Sequence, residues 1–407
     1  MPPSIAGGDS GELVAEGCQL GTSHPPGYPL YTILIFIVTN IGNTISNKKP
    51  ATLANGMSTC FGAIASGLIT SSVLYLIQMD EEQNQCLRTK GKKGSPKRSY
   101  AKKINVKDKA ERLRACQIVV AIVSGLFHTI SPLAWQYSIT AEVFALHNLF
   151  VSMIAHTSIR FAIYGTQELL FLGAFVCGMS LTNQHTSILL IVPVILWVLY
   201  ETDLYKPSHW TRKVRGDRLP LVIQAALCFL SGFIAFYATL PLFSMAYPHS
   251  GSWGDVVSIE GFVNHFRRKD YGTFRLFSGN DQDSEDAFER TLRWFEDYFW
   301  VQATPKFGTL TILGCLNVIQ REIKRLCWGT SLAINTTKGA NTSMSIIIGP
   351  KGSKYIDVRS MIFFTLVFYL IVFHSLANLP LRNPLLFGVH QVSAWTLNSV
   401  IASQRYT

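Results

Sequence analysis

The sequence predicts an all-α protein that crosses a membrane several times. Only 15% of its 407 residues are charged, whereas an average soluble domain carries about 25%. Hydrophobic residues make up 48% of the chain, and its mean hydropathy is +0.24. These values exclude a disordered protein and argue against an ordinary soluble enzyme. They are typical of a polytopic membrane protein whose charges are confined to loops.

Apolar runs that approach the roughly 20 residues of a membrane span recur along the chain. These runs are 56–79, 117–135, 141–164, 168–181, 186–200, 219–240, 307–319 and 361–379, with 385–402 as a further candidate. They predict at least eight spans. The earlier run 30–45 is short and is broken by Asn40, Gly42 and Asn43, so we expect a re-entrant or interfacial helix there.

Basic residues orient these spans. Segments 80–115, 201–218 and 321–360 contain twelve, five and seven Lys or Arg residues, which is 24 of the 36 in the chain. Because such residues mark cytosolic loops, we place these three segments in the cytosol. Their position between spans also argues against a nucleic-acid partner.

The remaining loops then lie on the opposite face of the membrane. The predicted order begins with a first non-cytosolic loop (1–29) and a re-entrant or interfacial helix (30–45). A transmembrane bundle (56–241), a long non-cytosolic loop (242–306) and C-terminal spans (307–407) follow. The weakest point of this topology is that Lys48 and Lys49 fall on the non-cytosolic side.

The sequence contains no familiar cofactor or metal motif. Its eight cysteines form no CxxC pair and no cluster with histidine, so we expect neither a disulfide framework nor a zinc site. A Walker A loop, a Rossmann fingerprint and a nucleophile elbow are missing as well. We therefore expect no metal and no cofactor.

The first polar cluster consists of GGDSGEL (7–13) and SHPPGYP (23–29). Asp9 and Glu12 are three residues apart, so a helix would place both carboxylates on one face. The flanking glycines would let a substrate approach closely. A helix cap is the competing interpretation, with Asp9 or Ser10 as the N-cap residue.

Two further clusters place polar residues at the ends of apolar runs. Glu142 and the pair His147–Asn148 enter a predicted span, where an ionisable group is expensive and usually faces a polar cavity. A helix end at the membrane interface explains them equally well. His185 lies in LTNQHT (181–186) between two short apolar runs, where a turn with helix caps is the simpler explanation.

Cations that could contact a phosphate occur in two places. The segment HFRRKDYGTF (265–274), which includes Arg268, mixes aromatic and basic residues and could contact a phosphate or lie along lipid headgroups. Arg382 stands just before the last apolar run, where it is either an interfacial anchor or a phosphate ligand.

Several of these motifs, taken in order, resemble a known family. GGDSGEL, SHPPGYPL, AWQYSITAEVF, MSLTNQHT, SWGD and HF-x-R-x-D-YGTF are similar to the transmembrane protein 260 family. Members of that family look like endoplasmic-reticulum protein O-mannosyltransferases with the GT-C membrane glycosyltransferase fold, a helical bundle with luminal loops. The resemblance runs from about Pro2 to Gln391, with basic insertions near 82–114 and 328–354.

The resemblance implies an inverting transferase of the endoplasmic-reticulum membrane, whose non-cytosolic side is the lumen. It would move mannose from dolichyl phosphate mannose, a lipid-linked substrate, to Ser or Thr of secretory-pathway proteins such as the IPT domains of plexin-type receptors. Asp9 is carried over as the catalytic carboxylate, with Glu12 as the second candidate. The candidates for contact with the donor phosphate or substrate are His24, Glu142, His185, Arg268 and Arg382.

The sequence departs from the family pattern at both ends. The family's first span, which should precede Pro2, and its C-terminal luminal repeat region are expected to be absent, and the family's continuation after Gln391 differs. Two other functions therefore remain open. One is a polytopic transporter with Glu142, His147 and His185 along a midplane path, and the other is a truncated family member without catalytic activity.

Overall fold

The computed structural model describes residues 4–5, 7–90, 100–211, 219–272, 286–302, 304–328, 357–376, 397, 400 and 401. Within these residues the chain forms α-helices and no β-strand, which confirms the all-α fold. The helices are α1 (Ser10–Gln19), α2 (Pro29–Ile45), α3 (Pro50–Lys90), α4 (Tyr100–Ile130), α5 (Pro132–Ser138), α6 (Val143–Tyr164), α7 (Gln167–Leu181), α8 (Ile188–Glu201), α9 (Leu221–Tyr237), α10 (Thr239–Ala246), α11 (Ile259–Phe266), α12 (Ala287–Asp297), α13 (Thr304–Trp328) and α14 (Val358–Leu376).

Four stretches of helix in the described residues are long and apolar enough to cross a membrane, so the chain is a polytopic membrane protein. They lie at 50–81, 111–130, 221–246 and 358–376. Helices α5 and α6 would form a fifth span together, although they are bent by 114° at the break between them. Other predicted spans correspond to shorter apolar helices, since α7 has 15 residues and α8 has 14. Residue 397 and residues 400–401 are the only described part of the run 385–402.

Helix α2 crosses the beginning of α3. The Tyr31 hydroxyl, near the start of α2, lies 3.2 Å from the Ser58 hydroxyl. Near the other end of α2, a Cβ added to Gly42 would lie 2.4 Å from the Leu53 side chain. Both ends of α2 are therefore beside the first three turns of α3. With 17 residues, α2 is one of the shorter apolar helices, and its re-entrant or interfacial position stays a prediction.

Helices α7 and α9 approach each other closely through two glycines. A Cβ added to Gly178 would lie 2.0 Å from the carbonyl oxygen of Phe229, and one added to Gly232 would lie 2.4 Å from that of Phe175. Small residues allow such close backbone contact between membrane helices. The crossing fixes the C-terminal end of α7, which leads into the His185 turn, relative to the end of α9.

An ion cluster joins α3, α13 and α14 at one end of the bundle. Both Arg321 Nη atoms contact the buried Asp80 carboxylate, at 2.9 and 3.2 Å. Arg359 Nη2 lies 2.8 Å from Asp80 Oδ1 and donates to the Leu76 carbonyl oxygen at 2.7 Å. The predicted cytosolic segments 80–115 and 321–360 therefore meet the bundle at this same end.

Candidate active site

The first polar cluster forms the start of α1. Gly7 and Gly8 adopt positive φ values of 87° and 64°, and Asp9 occupies the N-cap position. The Asp9 side chain makes no capping hydrogen bond, and 59% of its surface is exposed. Since Ser10 is already the first residue of the helix, neither side chain caps α1 as the competing interpretation proposed. The Asp9 carboxylate is accessible to a substrate.

Glu142 contacts the backbone of Asp9 and the side chain of Ser10. The Asp9 backbone N–H donates to Glu142 Oε1 at 2.9 Å, and the Ser10 hydroxyl donates to the same atom at 3.5 Å. A Cβ added to Gly8 would lie 2.7 Å from this oxygen, so the close approach requires glycine. Glu142 is only 6% exposed. Glu142 therefore positions the Asp9 backbone. A contact between Glu142 and substrate stays a prediction.

His24 lies between the two carboxylates predicted from the sequence. Its Nδ1 is 3.1 Å from Glu12 Oε2, and its backbone N–H donates to Glu12 Oε1. Its Nε2 is 3.7 Å from Asp9 Oδ2 and 3.2 Å from the Tyr28 hydroxyl. Burial alone would raise the pKa of Glu12, but the hydrogen bonds from His24 outweigh it and hold this pKa below its usual value. Glu12 is therefore ionised at neutral pH.

The same three residues could hold a metal ion. Ligand atoms of Asp9, Glu12 and His24 all lie within 4.8 Å of one another. A protonated His24 would also satisfy both carboxylates by charge and hydrogen bonding. The donor set therefore fits either a divalent cation or the imidazolium of His24.

The His185 turn, which belongs to the third polar cluster, is surrounded by residues at the ends of α9 and α11. His185 Nε2 lies 2.6 Å from the Tyr237 hydroxyl at the end of α9. The rings of His185 and Tyr237 both pack against Phe266, with centroids 4.8 and 5.1 Å from it. Arg268 follows Phe266 by two residues, and its backbone N–H donates to the His265 carbonyl oxygen at 3.0 Å. The segment that carries Arg268 therefore packs on the His185 turn through Phe266, whereas a shared phosphate contact of His185 and Arg268 stays a prediction.

The SHPPGYP turn connects the residues around His185 with the carboxylates of Asp9 and Glu12. The Tyr28 hydroxyl lies 3.2 Å from His24 Nε2, and a Cβ added to Gly27 would lie 3.0 Å from the Leu240 side chain in α10. A Cβ added to Gly27 would lie 3.1 Å from His265 Nε2. Burial lowers the pKa of His265 to about 4, so this side chain is neutral at pH 7.

Two buried polar atoms in this connecting region have no hydrogen-bond partner among the described residues. They are His265 Nε2 and the hydroxyl oxygen of Ser23. Buried polar atoms are normally hydrogen-bonded, so unsatisfied ones at a candidate site indicate where a ligand or water can bind.

For the remaining predicted residues, the structure links the third polar cluster to the second but does not describe Arg382. The Asn183 amide donates to the Val143 carbonyl oxygen at 3.0 Å, which joins the third polar cluster to the second. Arg382 lies outside the described residues. Sequence reasoning assigned no role to Tyr28 or His265, although both belong to the quoted motifs. Tyr237 lies inside the apolar run 219–240, and no local pattern distinguishes it as a site residue.

Residues 9–208, which contain the carboxylate cluster and the His185 turn, can be compared with known proteins. These residues match the family described as Protein O-mannosyl-transferase TMEM260 N-terminal domain. The chain belongs to the TMEM260 family. The matched region begins at Asp9 and includes Glu12, His24, Glu142 and His185, whereas Arg268 lies beyond it.

Two relatives show how much of a TMEM260 protein this chain represents. It is 28% identical over 406 residues to Protein O-mannosyl-transferase tmem260 of Dictyostelium discoideum, covering 95% of this chain and 39% of the relative. It is 34% identical over 280 residues to Protein O-mannosyl-transferase TMEM260 of Mus musculus, covering 68% of this chain and 33% of the relative. The chain therefore spans little more than a third of these relatives. No solved structure matches it.

Proposed function

We propose that this chain is a protein O-mannosyltransferase that uses dolichyl phosphate mannose and modifies Ser or Thr of secretory-pathway proteins. The observation that carries the proposal is the accessible Asp9 carboxylate, which Glu142 fixes through the backbone and which has His24 beside it. The names of the TMEM260 relatives support the transferase class. The donor, the acceptor and the mechanism rest on the family resemblance and on this geometry.

The proposed reaction is a direct displacement at the anomeric carbon of mannose. A Ser or Thr hydroxyl is a poor nucleophile at neutral pH, so Asp9 accepts its proton as the new C–O bond forms. The bond between the anomeric carbon and the phosphate oxygen breaks at the same time, and its electron pair leaves with dolichyl phosphate. Displacement of a β-linked phosphate inverts the anomeric carbon and yields an α-mannoside.

The leaving phosphate needs positive charge and hydrogen-bond donors more than it needs a proton. Arg268 supplies the charge in this proposal, and the unsatisfied atoms of Ser23, which precedes His24, and of His265, three residues before Arg268, are the proposed donors to phosphate oxygens. His24 contributes a further donor beside Asp9, and Arg382 is retained as a candidate from the sequence. A lipid-linked donor also explains why the chain needs no nucleotide-binding motif.

The acceptor and the compartment complete the proposal. The basic loops orient the site toward the lumen of the endoplasmic reticulum, where folded receptor domains pass during secretion. IPT domains of plexin-type receptors are the proposed acceptors, and a GT-C arrangement of the helices is the proposed architecture.

The decisive experiment is replacement of Asp9 by Asn. The change preserves size and removes the proton acceptor, so we expect mannose transfer to a purified IPT domain to be lost while membrane insertion is unchanged. Asp255→Asn is the matched control, because the Asp255 carboxylate bonds only within its own loop in the contacts described, to the Val257 N–H at 3.1 Å and the Ser258 N–H at 3.3 Å. Transfer by the Asp9→Asn protein at the rate of the control would refute the assignment.

A further inference from the structure

Three side chains outside the proposed reaction fasten the loop between α10 and α11 to α1. They are Glu16 in the last turns of α1, and His249 and Ser252 in the loop. His249 Nε2 and the Ser252 hydroxyl lie 3.0 and 3.1 Å from Glu16 Oε2. The Ser252 hydroxyl is also 3.1 Å from His249 Nε2. Each of the three groups therefore contacts both of the others.

The backbone around this cluster is joined as well. The Thr22 N–H donates to the Ser252 hydroxyl at 3.0 Å, and the Trp253 N–H donates to the Thr22 carbonyl oxygen at 2.9 Å. A Cβ added to Gly21 would lie 2.0 Å from Glu16 Oε2 and 2.2 Å from His249 Nε2. The two segments approach so closely that only glycine fits between them.

The orientation of His249 follows from its backbone contact. The Gly251 N–H donates to His249 Nδ1 at 3.1 Å, so Nδ1 is the acceptor and Nε2 carries the hydrogen that faces Glu16 and Ser252. The Glu16 side chain is only 5% exposed. Burial raises the pKa of Glu16, and its bonds to His249 and Ser252 offset only part of that effect. The cluster is thus a specific buried polar contact and not a loose surface pair.

This contact determines where Trp253 lies. Trp253 directly follows Ser252, and its ring centroid is 6.4 Å from that of His24. Trp253 is 40% exposed, and the His24 ring that it faces has its Nε2 3.7 Å from the accessible carboxylate of Asp9. An indole presents a large flat apolar face at little conformational cost. Such a face fits the C–H surface of a hexose ring.

We propose that Glu16, His249 and Ser252 form a clasp that positions Trp253 as the wall against which the sugar of the donor packs. The role of Trp253 toward the sugar rests on the proposed function, whereas the clasp itself does not. Trp253 is the residue that touches substrate, and the three clasp residues act through it. The substrate class is a hexopyranose attached to a lipid phosphate.

Hydrogen–deuterium exchange of the full chain in detergent tests the clasp without any reaction. Ser252→Ala removes the acceptor of the Thr22 N–H, and Glu16→Ala removes the shared partner of His249 and Ser252. We expect peptides covering residues 20–24 and 249–254 to exchange about tenfold faster in both variants, which corresponds to opening made easier by one lost hydrogen bond. Asp255→Asn is the control and should leave exchange of residues 20–24 unchanged. Unchanged exchange in both clasp variants would refute the clasp.

Transfer kinetics then test the positioning role. We expect Trp253→Ala and Glu16→Ala each to raise the KM for the lipid-linked donor about tenfold with a smaller change in kcat, and Trp253→Phe to restore most of the loss. If Glu16 acts through Trp253, the double variant will be no worse than Trp253→Ala alone. Effects that multiply in the double variant would refute positioning.

The two proposals fail in different ways. If the wild-type chain transfers no mannose, the proposed function and the sugar-binding role of Trp253 are both overturned, while exchange still decides whether the clasp exists. If the wild type is active and Trp253→Ala is as efficient as the wild type, the wall is refuted and the proposed function stands.

Discussion

Replacement of Glu142 by Ala would remove the support of the proposed catalytic carboxylate without touching that carboxylate. The change deletes the acceptor that holds the Asp9 N–H at 2.9 Å and that the Ser10 hydroxyl also contacts. Ser10 is fully buried, so its hydroxyl loses this acceptor without gaining water, and a buried donor left without its partner costs about 1–3 kcal/mol. If Asp9 must be held in place in the transition state, this cost translates into a fall of about 5- to 150-fold in the transfer rate.

The conservative variant separates the acceptor from the charge. Glu142→Gln keeps a carboxamide oxygen where Oε1 accepts from Asp9, so we expect a transfer rate within about threefold of wild type. The assay is the initial rate of mannose transfer to an IPT domain by microsomes with equal amounts of each variant. The melting temperature in detergent serves as the check on folding.

Two results would refute this reasoning. If Glu142→Gln is as inactive as Glu142→Ala, the carboxyl group itself takes part and its support of the Asp9 backbone is not the reason for its presence. If Glu142→Ala is fully active, the hydrogen bond to Asp9 does not matter for the reaction.

Three further predictions concern pH, metal and stability. Burial lowers the pKa of His265 from an ordinary 6.5 to about 4. Between these pH values the folded chain binds fewer protons than the unfolded chain, so the free energy of unfolding falls by about 2 kcal/mol from pH 6.5 to 5. The melting temperature of His265→Gln should therefore fall less than that of the wild type over this range. Chelation of divalent ions by EDTA should leave the transfer rate unchanged, because the sequence contains no metal motif and His24 already contacts Glu12 at 3.1 Å; a loss restored by Mn²⁺ or Mg²⁺ would contradict this and assign a metal ion to Asp9, Glu12 and His24. Asp80→Asn should destabilise the chain by about 1–3 kcal/mol, since it removes one of the two carboxylates facing the buried guanidinium of Arg359 while Asp357 remains; a melting temperature equal to wild type would refute it.

Much of the first cluster could be predicted from local spacing. Asp9 and Glu12 are three residues apart, and the structure places both beside His24 at the start of α1. The spacing alone could not distinguish a site from a helix cap, because both use an acidic residue at this position. The deciding fact is that the Asp9 carboxylate makes no bond to the helix N–H groups.

The support of the site could not be predicted from local spacing. Asp9 and Glu142 are 133 residues apart, and Glu16 and Ser252 are 236 apart. Each of these residues has an ordinary local explanation, as a helix end or a turn. Their partners follow only from how the helices pack, for example from the glycine contact that brings Gly178 of α7 against α9.

The placement of the quoted polar motifs at one end of the bundle favours chemistry at one membrane surface over transport through the membrane, although hydroxyl–imidazole pairs such as Ser66–His128 and Ser72–His156 lie between the two ends. Helix α6 begins beside Asp9, and α7 returns to the same end, where Asn183 meets Val143. His147, one turn into α6, lies 3.2 Å from the Ser187 hydroxyl at the start of α8, so it also belongs to this end. The ion cluster around Asp80 lies at the other end, next to two of the three basic loops. The helix contacts place these polar motifs at the end of the bundle away from the Asp80 cluster, and the sides of the membrane to which the two ends belong stay a prediction from the basic loops. A transporter needs polar groups distributed between the two ends, whereas a transferase with a lipid-linked donor needs them gathered at one.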